Sequence, residues 1–253
     1  VDFAIEQAAK SGKLVFEGKH INLAFDGKPV LIDFDLLLMR GDRVALIGPN
    51  GVGKSSLIKI LLDEYQAQSG EIKRGTNLEV AYFDQHRMAL DLDATVQDNV
   101  ADGKQEINLN GQSRHVLSYL QDFLFPPLRA RTPVRALSGG EKNRLLLAKL
   151  FAKPSNLLIL DEPLGKLDSL TRITMQKELI DLWQRQGYTA LLVTHDVEEA
   201  LLLANRVIVF SDRPAKIQAQ LSIDRPYPRH RDDPYLVDLR RQILGLLGLG
   251  ENW

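Results

Sequence analysis

Gly48-Pro49-Asn50-Gly51-Val52-Gly53-Lys54-Ser55 follows the apolar run Val44-Ala45-Leu46-Ile47 and opens an apolar stretch that reaches about Leu62. A strand, a glycine-rich turn and a helix in that order let a chain curl backbone N–H groups around a phosphate, with the helix N-terminus adding unpaired donors. The spacing of glycine, four residues, then Gly-Lys-Ser fits the P-loop pattern. In that pattern Lys54 reaches the β- and γ-phosphates and the Ser55 hydroxyl binds Mg²⁺. Gly48, Asn50, Gly51, Gly53, Lys54, Ser55 and Ser56 are therefore expected to hold the phosphates of a nucleotide.

Outward from that loop the pattern is α/β. Apolar strands near 157–160, 189–194 and 206–210 alternate with helices near 140–152, 169–186 and 196–203. Such alternation implies a mostly parallel central sheet with helices on both faces. Before the loop, Leu14, Phe16, Ile21, Leu23 and Phe25 alternate up to a turn at Asp26-Gly27, and Val30 to Leu36 follows, which reads as an N-terminal antiparallel β-subdomain. Another strand is expected at 78–83. Helical spacing of Val96, Val100, Val116, Leu117, Leu120 and Phe123 ahead of Pro126-Pro127 predicts an inserted helical subdomain over about 86–136. Residues 1–13 read as the end of a helix or linker, and Leu236, Leu239, Ile243 and Leu246 mark a last amphipathic helix. All of 1–253 is expected to form one nucleotide-binding domain.

Composition narrows the classes of function. The 253 residues carry 32 basic and 33 acidic side chains and no cysteine, which excludes disulfides, thiolate metal sites and cysteine nucleophiles. A near-neutral balance creates no long-range field toward nucleic acid or an anionic membrane. The basic stretch Arg225 to Arg231 adjoins Asp232-Asp233 and reads as a solvated tail and not as an RNA-binding arm. No apolar run approaches the roughly 20 residues that cross a bilayer, and Val1-Asp2-Phe3 lacks a basic region followed by an apolar segment. A cytoplasmic chain without direct membrane insertion is the expectation.

Two further stretches carry chemistry. Leu157-Leu158-Ile159-Leu160-Asp161-Glu162 is an apolar strand ending in two carboxylates. Alone it fits helix-capping carboxylates better. Beside a P-loop, Asp161 can hold the Mg²⁺ shell and Glu162 can polarise a water for in-line attack on the γ-phosphate. Leu137-Ser138-Gly139-Gly140-Glu141 opens a helix and offers a serine and backbone N–H groups to a second anion, although a well-capped helix start explains it equally. Two anion sites with one P-loop suggest a nucleotide clamped between two copies of the chain.

With these motifs the sequence resembles the ATP-binding-cassette superfamily, whose signature is this pentapeptide. The resemblance implies an ABC-type P-loop NTPase that binds ATP with Mg²⁺ and closes into a head-to-tail homodimer. It implies that Phe25 stacks on adenine, that Gln85 joins Ser55 and Asp161 around Mg²⁺, and that His195 after Leu191-Leu192-Val193-Thr194 contacts the γ-phosphate. Ser138, Gly139 and Gly140 would act from the partner copy, and Asp168 would close a loop that touches it. Glu162 and His195 would be the catalytic pair. His20, His86, His115 and His230 have no such placement and are expected to be surface or satisfied residues.

The two parts of the chain resemble different branches. Residues 1–163 look like the second cassette of ABC-F proteins, in Ile5 to Lys13, Val80-Ala81-Tyr82-Phe83-Asp84-Gln85, Asn110 to His115 and Leu137 to Arg144. Residues 164–253 look like the ATPase subunit of nitrate, sulfonate and taurine importers. There the carriers are Leu164 to Arg172, Leu191 to Ala200, Arg225 to Arg229 and Asp238 to Arg241. The change falls at Asp161-Glu162-Pro163, in a family switch over 161–164, and reads as an engineered or recombined chimera, with a divergent natural protein as the alternative. ABC-F action resides largely in a linker and first cassette of which only a remnant is present, which argues against ribosome or RNA partners. The helical subdomain resembles the branch without a permease, which argues against coupled transport. Lys166, where the importers have a small residue, is expected to weaken dimer closure and slow turnover. A folded nucleotide-binding module without turnover, and a natural importer ATPase subunit, are the rival expectations.

Overall fold

The computed structural model describes residues 12–84, 89–109 and 111–250. In chain order its elements are β1 (Leu14–Phe25), β2 (Lys28–Met39), β3 (Arg43–Ile47), α1 (Lys54–Leu61), β4 (Ser69–Arg74), β5 (Val80–Phe83), α2 (Val96–Ala101), β6 (Glu106–Leu109), β7 (Gln112–His115), α3 (Val116–Asp122) and α4 (Pro127–Ala130). After a short 3₁₀ turn at Val134–Ala136 come α5 (Gly139–Phe151), β8 (Leu157–Asp161), α6 (Ser169–Gln186), β9 (Thr189–Val193), α7 (Val197–Leu203), β10 (Arg206–Phe210), β11 (Ile217–Ser222) and α8 (Pro234–Leu246). The described residues fall into two compact units, one over 79–187 and one over 12–78 with 188–250.

In the second of these, β3 pairs in parallel with β9 on one side and β10 on the other, and β11 runs antiparallel along β10. Val44, Ala45, Leu46 and Ile47 are all buried, as a strand flanked on both sides requires. The register sets Leu46 against Val193 and Ile47 against Val209. The C-terminal ends of these three strands therefore meet one sheet edge. Gly48 and His195 both leave the sheet there.

The expected antiparallel layer is a three-stranded sheet in the order β2-β1-β4. Its β1–β2 turn has Asp26 at φ 48° and Gly27 at φ 73°, the left-handed pair that suits a two-residue hairpin. Strand β4 has no fully buried residue, so no apolar alternation announces it. On the same sheet the imidazole of His20 meets Asp33 at 2.6 Å, and that carboxylate holds it above the ordinary 6.5. His20 is a satisfied surface residue.

The C-terminal arm corrects the expectation of a solvated tail. The Tyr227 hydroxyl donates to Leu203 O (2.5 Å), and the Arg229 guanidinium donates to Leu201 O (2.8 Å) and to Ala204 O. These are carbonyls of the last turn of α7 and the residue after it, which a helix end leaves without internal donors. Arg231 pairs with Glu198 in the first turn of α7 at 2.9 Å. The guanidinium carbons of Arg43 and Arg229 lie 5.0 and 4.4 Å from the Tyr227 ring centre, and burial pushes the phenol pKa up.

In the other unit β5 and β8 pair in parallel, from Val80 with Leu157 to Phe83 with Leu160. Leu157, Leu158, Ile159 and Leu160 are fully buried. Tyr119 of α3 donates to Ala148 O of α5 at 2.7 Å, inside a core that includes Leu120, Leu145 and Phe151. The inserted segment is not wholly helical: β6 and β7 form a hairpin between α2 and α3. Gly111, at φ 88°, turns the hairpin, and its N–H donates to Asn108 Oδ1 at 2.7 Å. His115 ends β7 and caps α3 by accepting from the Leu117 N–H. His86 lies outside the described residues.

Candidate functional site

The P-loop is built by close packing. A Cβ on Gly48 would stand 2.7 Å from the Cβ of Phe210, so a side chain there would push the loop off the sheet. Gly51 at φ 74° and Gly53 at φ 131° take backbone conformations that L residues rarely adopt. Gly53 is also the N-cap of α1 and leaves the helix start without a side-chain acceptor. Lys54 is buried, and its ammonium donates to Gly48 O and, at 3.0 Å, to Pro49 O. The loop thus wraps its own cation. Asn50, Gly51 and Ser55 are exposed, and Ser56 is half-buried.

His195 follows β9 on a tightly tied backbone. Thr194, fully buried, donates from its N–H to Leu46 O (3.3 Å) and from its hydroxyl to Glu199 Oε2 (3.1 Å). That hydroxyl also accepts from the Asp196 N–H at 3.1 Å. Asp196 caps α7 through the N–H groups of Glu198 (2.9 Å) and Glu199 (3.1 Å). The imidazole is exposed at the edge that carries the P-loop. Phe25, in the same unit, ends β1 with 40% of its surface exposed and meets Tyr65 edge-on at 5.3 Å. A large aromatic left open beyond a core strand is free to stack on a planar ligand.

In the 79–187 unit, Asp161 ends β8 and Glu162 follows it, both half-buried. Glu162 sits at φ 48°, a left-handed conformation that costs a non-glycine residue about 1 kcal/mol or more. The turn beyond it is closed by Gly165 N–H to Glu162 O (3.3 Å) and by Asn143 Nδ2 to Pro163 O (2.7 Å). Ser138 caps α5 in a reciprocal capping box with Glu141. Glu141 in turn pairs with Arg129 at 2.7 and 2.8 Å. That guanidinium is the main cause that pulls the Glu141 carboxyl down to about 2, against some burial.

Gly139 and Gly140 have neither a left-handed φ nor crowding to explain them. A Cβ on Gly139 would meet nothing within 4 Å, and one on Gly140 would come no closer than 3.7 Å, to Lys166 O. Both stand in the first turn of α5, directly after the Ser138 cap. Asp168 caps α6 by accepting from the Thr171 N–H at 3.1 Å, and hydrogen bonds from Thr171 lower its carboxyl. Lys166 is exposed in the preceding loop.

The residues expected from the sequence thus form two groups. The P-loop, Phe25 and His195 belong to one unit, and Ser138, Gly139, Gly140, Asp161, Glu162 and Asp168 to the other. Gln85 lies outside the described residues. Among the described residues no group of three or more His, Asp or Glu side chains could hold a metal alone, and no helix is long and apolar enough to cross a membrane. Asn143 stands in the Leu137 to Arg144 stretch that carries the ABC-F resemblance, where the sequence alone gives it no role. In the fold it is a buried amide of α5.

The model of the ABC transporter family matches residues 31–165. The ATP-binding protein Uup of Escherichia coli is 60% identical over 192 residues, covering 76% of this chain and 30% of that protein. Uup of Caulobacter vibrioides is 42% identical over 216 residues, covering 85% of this chain and 35% of its own. The aliphatic sulfonates import ATP-binding protein SsuB 1 of Agrobacterium fabrum is 35% identical over 241 residues, covering 95% and 86% of the two chains. The chain thus spans about a third of the Uup proteins and most of SsuB 1. Among solved structures, the dimeric ATP-binding cassette MJ0796 with ADP and phosphate aligns with a TM-score of 0.65 at 21% identity, over 84% of this chain and all of that one. The cbiO1 protein of Clostridium perfringens aligns with a TM-score of 0.66 at 22% identity, over 83% and 89%. Both share the fold. The P-loop that ends β3, the capped signature helix and these matches place the chain in the ABC transporter family, as an ATPase domain with relatives of both the Uup and the importer type.

Proposed function

We propose that this chain binds Mg-ATP and hydrolyses it to ADP and phosphate in a head-to-tail dimer, in the cytoplasm. The observation that carries the reading is the single sheet edge at which the P-loop, with its wrapped Lys54, and His195 both emerge. Backbone N–H groups of the P-loop and the Lys54 ammonium bind the β- and γ-phosphates, and Phe25 stacks on the base. His195 donates to the γ-phosphate, and Glu162 orients the attacking water and accepts its proton. From the partner copy, the open N-terminus of α5 at Ser138, Gly139 and Gly140 approaches the same γ-phosphate, with Asp168 in the loop between copies. As the family resemblance implies, Ser55, Asp161 and Gln85 would hold Mg²⁺ through oxygen donors, and the ion would supply neutralisation of charge on the transferring phosphoryl group. Glu162→Gln is expected to keep ATP binding and abolish phosphate release; an unchanged rate removes Glu162 from the mechanism.

The reading includes slow turnover, because Lys166 brings a long exposed cation into the loop assigned to the dimer contact. The origin has two readings. The change of resemblance at Asp161-Glu162-Pro163 favours a chimera without a coupled permease or ribosome partner. The match to SsuB 1 along 95% of the chain favours a natural ATPase subunit of an importer for small sulfonates. Stimulation of phosphate release by a sulfonate permease in vesicles decides for the second, and its absence for the first.

A further inference from the structure

Asn143 is an amide inside an apolar helix face. The residue is 2% exposed, and Leu146, Leu147 and Leu150, at helical spacing from it on α5, are buried. Its Nδ2 donates to the carbonyl of Pro163 at 2.7 Å, while its Oδ1 is buried without a hydrogen-bond partner. An amide that leaves an acceptor unsatisfied is a poor way to stabilise a helix packing, since an apolar side chain of similar volume avoids that loss. The one bond it does make lies beside Glu162, whose left-handed backbone needs outside support. A second tie at the same turn is the Gly165 N–H to Glu162 O bond at 3.3 Å. The helix that carries Asn143 begins at Ser138, Gly139 and Gly140.

We propose that Asn143 is the positioning residue for Glu162: its bond to Pro163 O fixes the turn after β8, and so the direction of the Glu162 carboxylate, from the signature helix. This inference rests on the ATPase reading and deepens it. The helix that faces the partner's nucleotide and the loop that bears this chain's own base are joined by one side chain within one unit. Displacement of the helix N-terminus then displaces the base.

The test uses the full chain with Asn143→Leu, which removes both the bond and the orphaned acceptor, and Asn143→Ala as the second variant if leucine does not fold. The Leu variant is expected to melt at or above the wild-type temperature and to keep the Mg-ATP-induced rise in melting temperature and the KM for ATP. Its kcat is expected to fall about tenfold or more, as misplacement of a reacting group by a fraction of an ångström does, and amide exchange at Gly165 to accelerate. A kcat that stays at the wild-type value, or falls only in step with the melting temperature, overturns the proposal. So does unchanged exchange at Gly165. Wild-type release no faster than that of Lys54→Ala is a separate outcome, which overturns the ATPase reading and the catalytic meaning of Asn143 with it.

Discussion

Arg129 and Glu141 close a two-pronged ion pair, at 2.7 and 2.8 Å, on the same glutamate that completes the capping box of Ser138. One carboxylate therefore serves both the N-terminus of the signature helix and its neighbour α4. Its carboxyl is lowered from 4.5 to about 2 in the folded chain, chiefly by the Arg129 hydrogen bond. A depressed pKa contributes stability above the unfolded value of about 4.5, which is lost as pH falls toward about 2. Solvent screens part of the pair, so Glu141→Gln is expected to lower stability by about 1 kcal/mol near neutral pH. The difference from wild type should shrink below pH 4.5 and vanish near pH 2, as read in urea melts across that range.

The signature glycines separate stability from function. Because nothing crowds a Cβ at Gly139, Gly139→Ala is expected to raise stability by roughly 0.5 kcal/mol through lost unfolded-state freedom. ATP binding to the isolated chain should be unchanged, while phosphate release in the dimer falls steeply. Calorimetry for the first effect and a phosphate assay for the second check both halves. A variant with wild-type turnover would mean that no ligand approaches this backbone.

The C-terminal arm predicts the opposite balance. Tyr227→Phe removes a single hydrogen bond to Leu203 O and is expected to destabilise the chain by about 1 kcal/mol. Arg229→Ala strands the carbonyls of Leu201 and Ala204 and is expected to cost about 2 kcal/mol. Denaturant midpoints measure both. Neither change should alter the KM for ATP.

What was legible in the sequence follows from how local each signal is. The strand, P-loop and helix from Val44 to Leu61 announce themselves because glycine, lysine and a buried apolar run fall within one stretch. Helix α6 is equally plain, with Asp168 capping its start and Gly187 at φ 66° ending it. Strands β6 and β7 are four residues each and mostly polar, so no apolar alternation marks them. Strand β4 shows no apolar face. Tyr227 and Arg229 read as tail residues because their partners on α7 lie more than 20 residues away. Asn143 was hidden for the same reason, since its meaning comes from Pro163, 20 residues on.

A composite ATPase site that needs two copies makes steady-state phosphate release with Mg-ATP depend on protein concentration, read over a range of concentrations with Lys54→Ala as the blank. Specific activity is expected to rise with concentration and to level off as the dimer saturates. A rate equal to that of Lys54→Ala at every concentration would contradict the composite site.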